Sequence, residues 1–187
     1  MSTLAQDLRR LTQLSYLLAT GASLVKELDP RTISSSLQWR VQELCTDGQT
    51  VKTVALRPAD VTATCTQLPG FTADILLVYL ETLFHSRLAD ALGITGTALT
   101  PPIETLLHRR SATSRNQWWY RELVLLAVIR NSVAHSNGVV GSPYTRLTNA
   151  GWKEAEVNAL SCLTHRSFAD FLRFKRAVRT AGTQLCP

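Results

Sequence analysis

An all-α bundle is the fold this sequence predicts, and three observations predict it. Apolar residues recur at helical spacing through several long stretches. Proline and glycine punctuate the intervals between them. An apolar fraction of 45% over 187 residues supplies enough side chains for one ordinary core. The chain reads as a single helical domain, residues 1–187, of four to five core helices. A small β element has room near residues 139–163.

The first helix is expected from Thr3 to Leu28, on the stripe Leu4, Leu8, Leu11, Leu14, Leu18 and Ala22. Asp29-Pro30 should end it, because the residue before proline is pushed out of the α region. A second helix is expected after the serines, carrying Leu37, Val41 and Leu44, with Asp47-Gly48 as a turn. The stretch QTVKTVAL is β-branched and reads either as a strand or as an extended linker packed on the bundle. Pro58 opens a short helix through Val61 and Cys65, and Leu68-Pro69-Gly70 breaks the chain again. From Thr72 to Leu92 the apolar positions leave few polar gaps, so that helix is buried on much of its circumference, with Gly93 as its stop. Thr100-Pro101 suits a cap followed by proline in the first turn of a short helix through Ile103, Leu106 and Leu107. The next helix runs from about Gln117 to His135 and stops at Asn137-Gly138. Residues 139–163 are punctuated by Gly141, Pro143, Asn149 and Gly151, and VNALSCL suits a short strand. A last helix runs from Thr164 to about Arg179.

Charge and cysteine usage narrow the function classes. The net charge of +6 suits polyanionic partners and suits general solubility equally. The four cysteines form no Cys-x-x-Cys pair and have no histidine at zinc-finger spacing, so no structural zinc is expected. The opening MSTLAQDLRRLTQL is amphipathic and polar, not signal-like, and free thiols in a reducing cytoplasm are the simplest reading. The longest apolar runs, LVLLAVI and ILLVYL, are too short to span a bilayer, so no membrane partner is expected. No Gly-rich phosphate loop, zinc-protease motif or nucleophile elbow is present, and no cofactor is called for.

The segment WWYRELVLLAVIRNSVAHSNG carries the chemistry. Leu123 to Ile129 are apolar all round, which places this helix in the middle of the bundle. Leu123, Leu126, Ala127, Arg130 and Ala134 fall on one stripe, so Arg130 continues a core-facing row. A guanidinium there needs an anion, a wet cleft or a subunit contact. Asn131 and His135 are four apart and share a face. A helix C-terminus favours imidazolium and a nearby arginine disfavours it, which sets a histidine near its working range. Arginine as clamp, asparagine to orient and histidine to move a proton can together serve a phosphate. Chance also produces such a trio often.

The run IRNSVAHSNG resembles the Arg-Asn-x-x-x-His signature of the HEPN superfamily, in its ribonuclease branch. ILLVYLETLFHSRLADAL is similar to that family's second core helix, with Glu81 as the acidic residue in its middle. The resemblance covers about residues 72–180; residues 1–71 agree in helical character alone. It implies a HEPN-like bundle, and a homodimer whose two motifs face each other across one cleft. It also implies metal-independent RNA cleavage, often by toxins of toxin–antitoxin pairs or by phage-defence effectors, with an antitoxin protein as a further partner. Carried onto this chain, Arg130 and His135 are the catalytic pair and Asn131 supports them. The tyrosine that one branch carries two residues after the histidine is Asn137 here.

Other residues have two readings each. Arg109, Arg110 and Arg115, or the row Arg173, Lys175, Arg176 and Arg179, either hold an RNA backbone or form a solvated basic face. Trp118, Trp119 and Tyr120 either stack on bases or belong to a core. Ser136 and Asn137 either bind phosphate or cap the helix. Glu81 is either a buried partner for an arginine such as Arg130, or a plain carboxylate at the core edge. His85, His108 and His165 match no ligand spacing and read as surface or satisfied histidines.

Overall fold

The computed structural model describes residues 3–27, 40–44, 51–55, 58–94, 101–135, 144–161 and 167–186. These form helices α1 (Leu4–Glu27), α2 (Pro58–Ala91), α3 (Ile103–Arg110), α4 (Trp118–His135), α5 (Tyr144–Asn149), α6 (Glu154–Ser161) and α7 (Phe168–Leu185). A 3-10 turn, Ser114–Asn116, leads into α4. Strands β1 (Arg40–Leu44) and β2 (Val51–Ala55) pair antiparallel, with Gln42 opposite Thr53. The architecture is an all-α bundle with that one hairpin among the described residues. Two compact units divide the chain: Met1–Tyr16 with Gly70–Pro187, and Leu17–Pro69.

The core of the larger unit is built around α4. Every residue from Leu123 to Ile129 is buried, whichever way it points. A helix apolar on all sides gains by burying its whole circumference, so its neighbours wrap it. α7 packs along it with Phe171, Phe174, Ala177, Val178 and Ala181, and α3 and α5 add Ile103, Leu106 and Leu147. Leu76, Leu77, Leu80, Phe84 and Leu88 of α2 enter the same cluster, as do Leu8 and Leu11 of α1. Two ion pairs inside this unit join one helix to another. Arg173 of α7 contacts Glu122 of α4 at 2.8 and 2.9 Å, and Arg87 of α2 meets Asp7 of α1 at 2.6 Å.

Several boundaries differ from the sequence expectations. The segment around Val41 and Leu44 is strand β1, not a helix. Its run Val-Gln-Glu-Leu is short and does not alternate, and pairing with the β-branched β2 outweighs helical propensity. Within QTVKTVAL, Val51–Ala55 is accordingly a strand and not a linker. Pro69 does not break the chain: α2 runs through it from Pro58 to Ala91. An interior proline costs about 3 kcal/mol, and burial of Ala73, Leu76, Leu77 and Leu80 in the turns that follow offsets it. Residues 139–163 hold no β element among those described; VNALS lies in α6, and α5 precedes it. The short helix α3 starts at Ile103 with Pro102 in the N-cap position, later than Thr100-Pro101 suggested. α7 starts at Phe168 because Ser167 caps it in a box with Asp170, and it continues to Leu185. Gly93 does stop α2, at φ 67°, where a left-handed residue is needed. Thr100, Asp29-Pro30, Asp47-Gly48 and Asn137-Gly138 lie outside the described residues, wholly or in part.

Candidate active site

A cleft of about 1090 Å3 opens beside the C-terminal half of α4. Its polar lining comes chiefly from Glu81 and His85 on α2, Glu104 on α3, Arg130 and Asn131 on α4, and Arg146 on α5. Four helices thus meet at one wet concavity, and each contributes a charged side chain.

Arg130 stands at the edge of the buried row that Leu123, Leu126 and Ala127 begin. Its side chain is 38% exposed, while Glu81 is 4% exposed. Arg130 Nε lies 3.7 Å from Glu81 Oε2, and its Nη1 donates to Asn131 Oδ1 at 2.9 Å. The first contact is an ion pair too long for a hydrogen bond, and Arg130 Nε is buried with no hydrogen-bond partner. The sequence raised Glu81 as a partner for Arg130, and the two side chains do meet. Ala134, one turn further along the stripe, is exposed, so the core-facing row ends at Arg130.

His85, which the sequence reads as a surface or satisfied histidine, has a partner at each ring nitrogen and lines the cleft. It sits one helical turn after Glu81, with Nδ1 3.2 Å from Glu81 Oε1 and Nε2 donating to the Pro101 carbonyl at 2.9 Å. The bond to Glu81 raises its pKa above the ordinary value. Burial opposes that rise, the Glu81 charge and the Pro101 carbonyl add to it, and the Arg130 charge subtracts. The i,i+4 spacing of Glu81 and His85 was the available signal. A glutamate and an arginine complete the cleft: Arg146 forms a bidentate pair with Glu104, with Nη2 to Oε2 at 2.8 Å. Burial would raise the Glu104 carboxyl, but the hydrogen bond and charge of Arg146 outweigh it and hold the group below its usual range. Nothing in the local sequence announces that pair, which joins residues 42 positions apart.

The remaining predicted residues are placed as follows. His135 is the last residue of α4, and its side chain lies outside the described residues, as do Ser136 and Asn137. Arg109 and Arg115 are exposed and do not line the cleft. Arg110 Nε donates to the Leu185 carbonyl at 2.6 Å, closing the end of α7. Arg173 is held by Glu122, Lys175 donates to Thr12 Oγ1 at 3.1 Å, and Arg176 lies over the Trp118 ring at 5.6 Å. Trp119 and Tyr120 are core residues, and Trp118 is exposed.

Chemically, the cleft can hold an anion against Arg130 with Asn131 alongside, at the end of a helix whose next turn carries His135. Comparison with protein-family models, curated proteins and solved structures gives no match for this chain.

Proposed function

We propose that the protein is a metal-independent endoribonuclease of HEPN type, acting as a homodimer with Arg130 and His135 as its catalytic pair. One observation carries the reading. Arg130 is held at the margin of a large cleft by a buried carboxylate, with Asn131 bonded to it, on the helix that ends at His135.

In the reaction, the ribose 2′-oxygen attacks the adjacent phosphorus and a histidine base takes its proton. The bond from phosphorus to the 5′-oxygen breaks, and that oxygen receives a proton from a histidine acid. The products are a 2′,3′-cyclic phosphate and a 5′-hydroxyl. Arg130 stabilises charge on the phosphorane-like transition state. A dimer supplies two copies of His135, one as base and one as acid. DNA lacks the attacking hydroxyl and is expected to survive.

The test is cleavage of RNA in excess EDTA, with Arg130→Ala and His135→Ala beside the wild type. Each variant is expected to lose about 100-fold or more in rate. Cleavage that needs a metal, or variants that cut as fast as wild type, would falsify the mechanism. Growth arrest on expression, abolished by His135→Ala, is the corresponding expectation for a toxin or defence effector.

A second reading is a silent HEPN-like module that binds RNA or a protein. What favours it is that Arg130 already has an internal anion in Glu81. Tight RNA binding with no cleavage supports this reading over the first.

A further inference from the structure

Glu81 is 4% exposed and faces an imidazole and a guanidinium at once, His85 through Oε1 and Arg130 through Oε2. Both ring nitrogens of His85 look at acceptors: a carboxylate oxygen on one side and a backbone carbonyl on the other. A neutral imidazole carries one N–H and one lone pair. Whichever tautomer it adopted, its lone pair would confront an oxygen. With Glu81 ionised, only the doubly protonated ring satisfies both contacts as they stand.

We propose that the Glu81–His85–Arg130 cluster is a proton-gated oxyanion site, in which charged His85 neutralises Glu81 and so frees Arg130 to bind a phosphate-like anion. The cluster has one negative and two positive groups when His85 is protonated, leaving one positive charge for a ligand. When His85 is neutral, Arg130 is the cation in direct contact with Glu81 among the described residues, and the surplus disappears. His85 is therefore a positioning residue acting through Glu81, not a group in contact with the reacting atoms.

The other charges facing this point do not undo the balance. Glu104 from α3 and Arg146 from α5 form a bidentate pair and cancel each other. Asp90, further along α2, also lines the cleft but is exposed, where water and salt screen it. Pro101 contributes only its carbonyl. Arg130 Nε is buried against Glu81 without a hydrogen bond, so the pair is an electrostatic contact that a change in the Glu81 charge balance can loosen. The rise in the His85 pKa agrees in direction with a ring kept charged by its surroundings.

Linkage makes the proposal testable in both directions, because an anion that prefers charged His85 must also raise the pH at which His85 titrates. The inference rests on the reading of Arg130 as the phosphate-facing cation, but its test does not need catalysis. Sulfate is the probe, since it stays a dianion across the whole range. Nitrogen-15 NMR would follow the Arg130 Nε–Hε signal and the His85 ring nitrogens during sulfate titrations at constant ionic strength, from pH 5.5 to 9 (roughly, the span around an imidazole titration).

Sulfate is expected to shift the Arg130 signal, and to bind about tenfold more tightly with His85 protonated than neutral. The His85 titration should move up in pH as sulfate is added. In His85→Gln, binding should be weak at every pH and its pH dependence gone. Equal sulfate affinity at both ends of the range overturns the proposal, and so does a pH dependence that survives His85→Gln. The wild-type titration alone decides the matter if that variant fails to fold. A protein that binds sulfate in this pattern yet cuts no RNA keeps the oxyanion site and loses the nuclease. One that cuts RNA through Arg130 with no His85 dependence does the reverse.

Discussion

At the scale of single residues, the cleft is a set of ion pairs whose members depend on one another. His85 shows this in its effect on stability. Its pKa is raised in the folded state by Glu81, so it binds its proton more tightly folded than unfolded. Its stabilising contribution is then fully present below the ordinary imidazole value of 6.5 and is lost as pH rises through the folded value. Urea denaturation of wild type and His85→Gln should therefore differ most near pH 5.5 to 6 and converge above the folded pKa (about 2 pH units of span suffice). A gap that widened with pH would contradict the contacts described. Glu104 has the opposite sign. Its carboxyl is held low against the pull of burial by Arg146, so its contribution is present above the ordinary value of 4.5 and lost as pH falls through the folded value. Glu104→Gln should cost about 1.5 kcal/mol at pH 7, less as solvent screens the pair, and progressively less as pH falls below 4.5 through the folded value. The motif residues Arg130 and Asn131 were legible because they extend an apolar helix with polar groups, a pattern visible in one turn. Glu81 was legible as a charge inside an apolar run. His85 was legible as a satisfied histidine but not as a member of the cleft, because its partners decide its place, and Pro101 faces one nitrogen across 16 residues.

At the scale of elements, strong periodicity was readable and local breakers were overrated. The stripe of α1 and the all-apolar stretch of α4 gave helices close to their observed bounds, although among the described residues of the α1 stripe only Leu8 and Leu11 are buried while Leu14 and Leu18 are exposed. Pro69 misled, because a proline penalty of about 3 kcal/mol is a local term and the buried turns after it outweigh it. VNALSCL misled for a different reason. Five to seven apolar residues fit a strand or a helix equally, and what decides is the neighbouring element, α5, which has no strand to offer. The start of α7 rests on a signal that sequence carries in plain form. Ser167 Oγ accepts from the Asp170 amide at 3.3 Å, and Asp170 Oδ2 accepts from the Ser167 amide at 2.8 Å. Ser167→Ala removes the first of these and should cost about 1 kcal/mol, while Ser167→Asn should cost less. Thermal or urea unfolding monitored by circular dichroism reads the difference, and an alanine variant as stable as wild type would show that the cap bears no weight.

At the scale of the whole molecule, the question is how many chains make one active site. No helix among the described residues is long and apolar enough to cross a membrane, and the chain's net charge of +6 suits an anionic substrate. The proposed cleavage needs a base and an acid, and each chain brings a single His135. If both come from paired copies of His135, a dimer with one damaged subunit is dead at its shared site. Equal amounts of wild type and His135→Ala, mixed under conditions that allow subunit exchange, should then retain roughly a quarter of the activity of the same total of wild type, the fraction of dimers with two intact chains. Independent sites would retain roughly half. Mixing without exchange also gives half, so the assay is run before and after a brief denaturation and refolding of the mixture. A fall from half to a quarter on refolding argues for the composite site. A value that stays at half after exchange has been verified by mass-tagged subunits means that each chain cuts alone, and the acid must then be sought within one chain.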